Sequence, residues 1–313
     1  MIARRLMMGG GGSFIDPIAL IRAYVSDITA ADAYDYQVTE SGGRVLDTIK
    51  VIDDGAGAYV GAFHALNAGT GKFEFRLATS TDLMTWTAGV MIANDAHSGT
   101  IGRRPGGTFL LAYENDVDPN SMVVREYSNL ANLLAGSHST TYNVPRTLAA
   151  AGAAEGTPNF YSTDEPLDIG FHYNDGTRDK EARGTLTDLS GTPSWVSAAA
   201  TTFDDAISAL GFASGSRGDR DNVTWRGVES VFVEAQSTVG DFSTFRIIYW
   251  SGTTASLNPI TTHGGSTAQA NITVSVVANP SGPGDVLFVG LFLHSDGAAV
   301  GEAGQAIYYR ALP

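Results

Sequence analysis

Residues 59–87, YVGAFHALNAGTGKFEFRLATSTDLMTWT, read as one strand, a glycine-containing loop, a second strand and a turn closed by Asp82, Leu83 and Trp86. A strand pair of this kind buries one face and leaves both edges unpaired, so it needs neighbours on either side. Working outward, the chain repeats the unit. TFLLAYEND and SMVVREYSNLANLL follow Gly107, and LDIGFHYND and EARGTLTDLSGTPSW follow Pro166. ESVFVEAQS and FSTFRIIYWSGTTASL follow Val228, and VLFVGLFLHS and GQAIYYRALP complete the series. A period of roughly fifty residues belongs to propeller blades rather than helical solenoids, and predicts an all-β, five-bladed propeller whose site lies at its central axis.

Towards the N-terminus, Asp16-Pro17 followed by IALIRAYV predicts a short helix with Asp16 as N-cap and Pro17 in its first turn. Ile18, Ile21 and Val25 share one side, so the helix is expected to pack on the propeller. Residues 1–33 are read as a Gly-rich arm plus this helix, and residues 34–313 as the propeller. The alternating Tyr34, Tyr36 and Val38 predict a strand over Tyr34–Thr39 that joins the last blade. Pairing the two ends of the chain would leave no open seam.

Composition narrows the function. The chain has 313 residues, 43% of them hydrophobic, and 37 glycines, consistent with a large core and many turns. A formal net charge of −14 argues against nucleic acid and against an anionic membrane surface as partners, because both need basic patches. Zero cysteines remove disulfides and thiolate chemistry. The opening MIARRLMMGGGG has two arginines, but its apolar run is too short for a secretory signal, and no apolar run approaches a membrane span. No calcium-loop spacing is present, so neither metal nor cofactor is expected.

The candidate site residues lie where inner strands begin. Asp47 sits inside the apolar run of the first blade, where a carboxylate must either find backbone partners or face a polar cavity. His97 opens the second blade and either lines the axis or bonds a neighbouring loop. Of the paired Arg103 and Arg104, one at most can point inward, where it could fork onto a ligand or a channel carboxylate. Glu155 opens the third blade between small residues that would leave it reachable. Asp219, Arg220 and Asp221, just before Trp225, form the densest polar cluster. It is either a solvated loop or part of an axial site.

At this point the pattern resembles the five-bladed propeller glycoside hydrolases, the clan of arabinanases, xylosidases, levansucrases and invertases that includes family 43. The resemblance rests on Asp47, on FRLATSTDLMTW closing blade one and on EGTPNFY opening blade three. It implies Asp47 as base or nucleophile and Glu155 as general acid. The expected ligand is a carbohydrate, and the residue reading offers His97, Arg103, Asp219, Arg220, Asp221 and Trp225 to bind it. The chain departs from the clan in blade two, where HSGTIGRRP stands in place of an inner-strand Asp, and Asp95 and Asp116 lie outside that slot. The arm also resembles those of phage tail and head accessory proteins. The expectation is therefore a glycan-recognising or structural module on a larger assembly such as a virion, docked on other subunits through its arm. The alternative is an active, extracellular glycoside hydrolase using Asp47 and Glu155.

Overall fold

The computed structural model describes residues 15–313, and the side chains of Asp219 and Arg220 fall outside that description. Helix α1 (Pro17–Val25) begins as its sequence dictates. The Asp16 carboxylate accepts the Ile18 amide at 3.0 Å, and Pro17 occupies the first turn, where no amide hydrogen is needed. Its buried face, Ile21 and Val25, joins an apolar cluster with Phe232, Tyr249, Leu287 and Tyr308. The Gly-rich part of the arm lies outside the described residues.

After a short strand β1 (Ala33–Tyr36), the chain makes five four-stranded antiparallel sheets. The first holds β2 (Asp47–Asp53), β3 (Tyr59–Asn67), β4 (Lys72–Ser80) and β5 (Thr87–Asn94). Next come β6 (Ala96–Arg103), β7 (Phe109–Asn115), β8 (Ser121–Tyr127) and β9 (Thr140–Asn143). The third sheet holds β10 (Glu155–Ser162), β11 (Leu167–Asn174), β12 (Asp179–Thr187) and β13 (Ser194–Ala199). The fourth holds β14 (Arg217–Trp225), β15 (Val228–Ala235), β16 (Arg246–Trp250) and β17 (Ala255–Leu257). β18 (Gln269–Ala278), β19 (Asp285–Leu293) and β20 (Gly304–Ala311) form the fifth, which β1 completes by pairing Ala33 with Tyr309 and Tyr36 with Ala306. The molecule is thus a five-bladed propeller closed by strands from both ends. The closing strand stops at Tyr36 rather than Thr39, because Gln37 adopts a left-handed φ of 57°.

The outermost strands are the least buried, and the sequence follows this. β3 is buried over its first seven residues, apolar apart from His64, whereas the outer β13 alternates between exposed and half-buried positions. Apolar clusters fill the spaces between neighbouring sheets: Phe75 and Leu77 meet Ile101 and Leu111, and Leu110 and Val124 meet Ile169 and Phe171. Trp86 is 2% exposed and anchors the turn that closes blade one. Its indole nitrogen donates to Leu83 O, while Asp82 accepts the Met84 and Thr85 amides. A side chain at Gly61 would meet Ile49 at 2.6 Å and Trp86 at 2.9 Å, so that position must stay bare.

Each inner strand carries a register shift at the same level: Asp47/Lys50, His97/Thr100, Gly156/Asn159, Arg217/Arg220 and Ala270/Thr273. The bulges place Thr48, Ser98, Thr157 and Asn271 at φ of 52°, 42°, 52° and 48°. Non-glycine residues in that region cost about 1–3 kcal/mol each, and the surroundings must hold them there. A bulge frees an amide from the ladder and re-aims the adjacent side chain.

Below the bulges, Lys50 closes the axis. Its ammonium donates to Asp221 Oδ2 at 2.7 Å, Val274 O at 2.6 Å and Asn222 O at 3.4 Å, joining blades one, four and five. Asp221 is 2% exposed and also accepts the Val274 and Asn222 amides.

Candidate active site

Above the bulges the inner strands diverge around a cavity of about 550 Å³, bounded in part by Asp47, His97, His172, Glu234 and Asn271. A second hollow of about 630 Å³ shares Asp47, Phe73 and Phe292 with it and extends the cleft over blade one past the exposed Leu66. Polar groups and aromatic rings both line it, with Phe73 packed against His64 and His97, the composition expected of a small-molecule site.

The amides freed by the bulges bind side chains of the preceding blade. Ser98 N donates to His64 Nδ1 at 3.1 Å, Thr157 N donates to Glu114 Oε2 at 3.0 Å, and Asn271 N donates to Glu234 Oε2. In register, one position on the second strand of four blades holds His64 opposite Asp47, Glu114 opposite His97, His172 opposite Gly156 and Phe292 opposite Ala270, the first two being acceptors of these amides. The inward ring of polar groups is therefore built as much from second strands as from first ones.

Asp47 stands at the top of β2, with its side chain 16% exposed. Asn271 Nδ2 donates to its Oδ1 at 2.8 Å, and His64 Nε2 lies 3.3 Å from Oδ2. Because His64 Nδ1 accepts the Ser98 amide, the ring proton resides on Nε2 and faces Asp47. Two donors thus orient this carboxylate while it remains on the cavity wall. Asn271 holds Glu234 as well, so one residue ties two carboxylates of the cavity together.

A second cluster lies between blades two and three. His97 Nδ1 is 2.6 Å from Asp116 Oδ1 and its Nε2 is 3.7 Å from Glu114 Oε2, while His172 Nε2 is 4.0 Å from the same oxygen. Asn120 donates to Glu114 at 2.8 Å and to Asp116 at 3.2 Å. Glu114 is 3% exposed. Burial pushes its carboxyl up, but His97, His172, Asn120 and the Thr157 amide outweigh burial and hold it below the usual range. Gly156 makes room, since a Cβ there would lie 1.8 Å from Glu114 Oε2. Among the described residues, His97, Glu114 and Asp116 present ligand atoms within 4.8 Å of one another that could hold a metal ion, a grouping the expectation of no metal did not include.

Several expected residues stand elsewhere. Glu155 is 1% exposed and does not border the cavity. Its Oε1 accepts the amides of Thr147, Leu148 and Ala149, and it pairs with Tyr173, so the inward place at this level belongs to Gly156. Arg103 ends β6 at the far side of the blade, over the Phe109 ring and against Gly55. Arg104 is engaged by Glu126 and Glu165. Trp225 ends β14 in the core cluster with α1, and Asp221 is held in the axial ion pair with Lys50. The side chains of Asp219 and Arg220 lie outside the described residues. His97 borders the cavity and also reaches Asp116 in the loop after β7.

No protein-family model and no curated protein matches the sequence. Solved structures do match in fold. A thermostable family-43 glycoside hydrolase is 11% identical, with a TM-score of 0.56 over 89% of this chain and 93% of that one. An exo-1,5-α-L-arabinanase from a bovine ruminal metagenomic library is 10% identical, with a TM-score of 0.53 over 88% and 96%. A family-43 endo-arabinanase from Bacillus licheniformis gives the same four values. The resemblance of the arm to phage accessory proteins finds no support in these likenesses, and the arm lies outside the described residues. What this chain shares with the glycoside hydrolases, at such identities, is the five-bladed propeller.

Proposed function

We propose that the protein is a carbohydrate-active propeller that hydrolyses a glycosidic bond in the axial cavity, with Asp47 as base or nucleophile and Glu234 as general acid. The observation that carries this reading is Asn271, which donates through its side chain to Asp47 and through its amide to Glu234. Glycoside hydrolysis needs two carboxyls flanking one bond, separated by about 5–10 Å, and two carboxyls bonded to one residue fall within that reach. Of the two, Glu234 is the more enclosed, which suits the group that must keep and deliver a proton. Phe73 and Phe292, beside Asp47 where the two hollows meet, offer apolar faces for sugar rings.

The test is release of reducing sugar from a panel of arabinan, xylan and fructan. Asp47→Asn and Glu234→Gln are each expected to lower the rate by about a hundredfold or more, the scale of a positioned acid or base. Glu155→Gln is expected to act on stability, because it disturbs the turn at Thr147–Ala149. Hydrolysis that survives Glu234→Gln but not Glu155→Gln would return the acid role to Glu155. Binding of a glycan without turnover would favour a recognition module, a reading that the enclosure of Glu155 supports.

A further inference from the structure

We propose that Phe242 is the platform on which the sugar released from the cleaved bond stacks, and that it suits the cavity to substrates whose leaving group is itself a sugar rather than a small alcohol. The inference rests on Glu234 as general acid. An acid of this kind protonates the glycosidic oxygen, so the departing unit begins within hydrogen-bond reach of it. Glu234 lies near the end of β15, and the connection from there to β16 carries Val239 and Phe242 onto the border of the same cavity. Phe73 and Phe292, by contrast, stand beside Asp47, where the two hollows meet.

The setting of Phe242 argues for a built surface rather than a stray apolar residue. It is 45% exposed, and Val239 in the same loop is 52% exposed. Large apolar groups left in solvent at the border of a polar cavity mark a binding surface. The ring lies on the His294 imidazole of blade five, with centroids 4.6 Å apart and planes 8° from parallel, and its exposure leaves further ring surface for a ligand. His294 is itself held, with the Asp296 amide donating to its Nδ1 at 3.4 Å. The backbone is held too. Phe242 opens a single 3₁₀ turn (Phe242–Thr244) capped by Asp241, whose Oδ1 accepts the Ser243 amide at 3.1 Å and the Ser243 hydroxyl at 2.6 Å. The Gly240 amide donates to Gln236 Oε1 at 3.3 Å, which braces the loop from the strand that carries Glu234. A ring fixed before binding loses little freedom when the C–H face of a sugar packs on it.

The test compares two substrates of the full chain that share the sugar before the cleaved bond and differ in the leaving group: an oligosaccharide of whichever polymer the parent hydrolyses, and the matching methyl glycoside. Phe242→Ala should lower kcat/KM about tenfold on the oligosaccharide, chiefly through KM, and by less than about twofold on the methyl glycoside. Phe242→Trp should keep the parent's preference. His294→Ala, which removes the support under the ring, should give a smaller loss of the same kind. Circular dichroism verifies that each variant folds. Equal losses on both substrates, or none on either, overturn the assignment while leaving hydrolysis by Asp47 and Glu234 intact. A parent that releases no sugar fails the catalytic reading instead, and calorimetric binding of arabino-, xylo- and fructo-oligosaccharides then decides. Binding about tenfold weaker in Phe242→Ala upholds the ring as a sugar platform, and equal or undetectable binding overturns it.

Discussion

Replacing Lys50 with Met would remove the only cation that meets Asp221 among the contacts described here, while keeping most of the apolar stem. Asp221 is 2% exposed, and its remaining partners are two backbone amides. Breaking a buried ion pair from one side costs about 3–5 kcal/mol, because the other charge is left behind. The structure also sets a ceiling. Burial already pushes the Asp221 carboxyl above its ordinary 3.8, with Lys50 opposing the rise, and without Lys50 the group can escape by taking up a proton. At 1.36 kcal/mol per pH unit, protonating a carboxyl of ordinary pKa 3.8 costs about 4 kcal/mol at pH 7 and about 1.6 kcal/mol at pH 5. The sign follows from a folded-state pKa raised above the unfolded one. The penalty is absent in acid and grows as pH rises through the folded pKa. Lys50→Met should therefore lose about 3–4 kcal/mol at pH 7 but under about 2 kcal/mol at pH 5, read from urea midpoints at constant m. Lys50→Met with Asp221→Asn should recover at least half of the neutral-pH loss. A deficit below about 1 kcal/mol at pH 7, or one equal at both pH values, would refute this account of the axis.

Two further outcomes follow from the packing and the ionisation. Gly156→Ala drives a methyl into the Glu114 carboxylate, where the projected separation is 1.8 Å, and should lower stability by about 1–3 kcal/mol in a thermal melt. Burial pushes the Glu302 carboxyl up, but Ser266, Thr262, the Gly264 amide and Tyr36 outweigh it and hold the group below its usual 4.5. Stability from Glu302 is therefore present above pH 4.5 and lost as pH falls through the folded value. Glu302→Gln should flatten the decline in melting temperature over that acid range, and should cost about 1–3 kcal/mol at pH 7.

The fold was largely legible in the sequence because hairpin repetition, buried-strand runs and the unpaired Tyr34–Tyr36 stretch all report local and edge requirements. The site was less so. Asp47, which borders the cavity, stands out in the sequence because a carboxylate within LDTIKVI conflicts with its neighbours. Glu155 misled because the register of β10 decides the outcome: it faces Tyr173, its neighbour Gly156 faces His172, and a shift of one residue exchanges the faces of a strand. His64, Glu114, His172 and Glu234 lie on second strands, whereas the sequence pattern points to the first strand of each blade as the inward one. A signal was nevertheless present. Aligning AFHAL, AYEND, GFHYN and FVEAQ puts His64, Glu114, His172 and Glu234 at one recurring place in the second strands. Arg103 and Trp225 were misplaced because an inner strand runs the depth of the blade, so residues near one another in sequence can end at opposite mouths.

The pairing of β1 with β20 has a bearing on biosynthesis. Made well before its partner, Ala33–Tyr36 has no strand to pair with until Gly304–Ala311 has been made, so four sheets can assemble during translation while the fifth waits for its last strands. Chains released before that strand is made would carry an exposed seam at both flanks, a form suited to capture by chaperones or proteases.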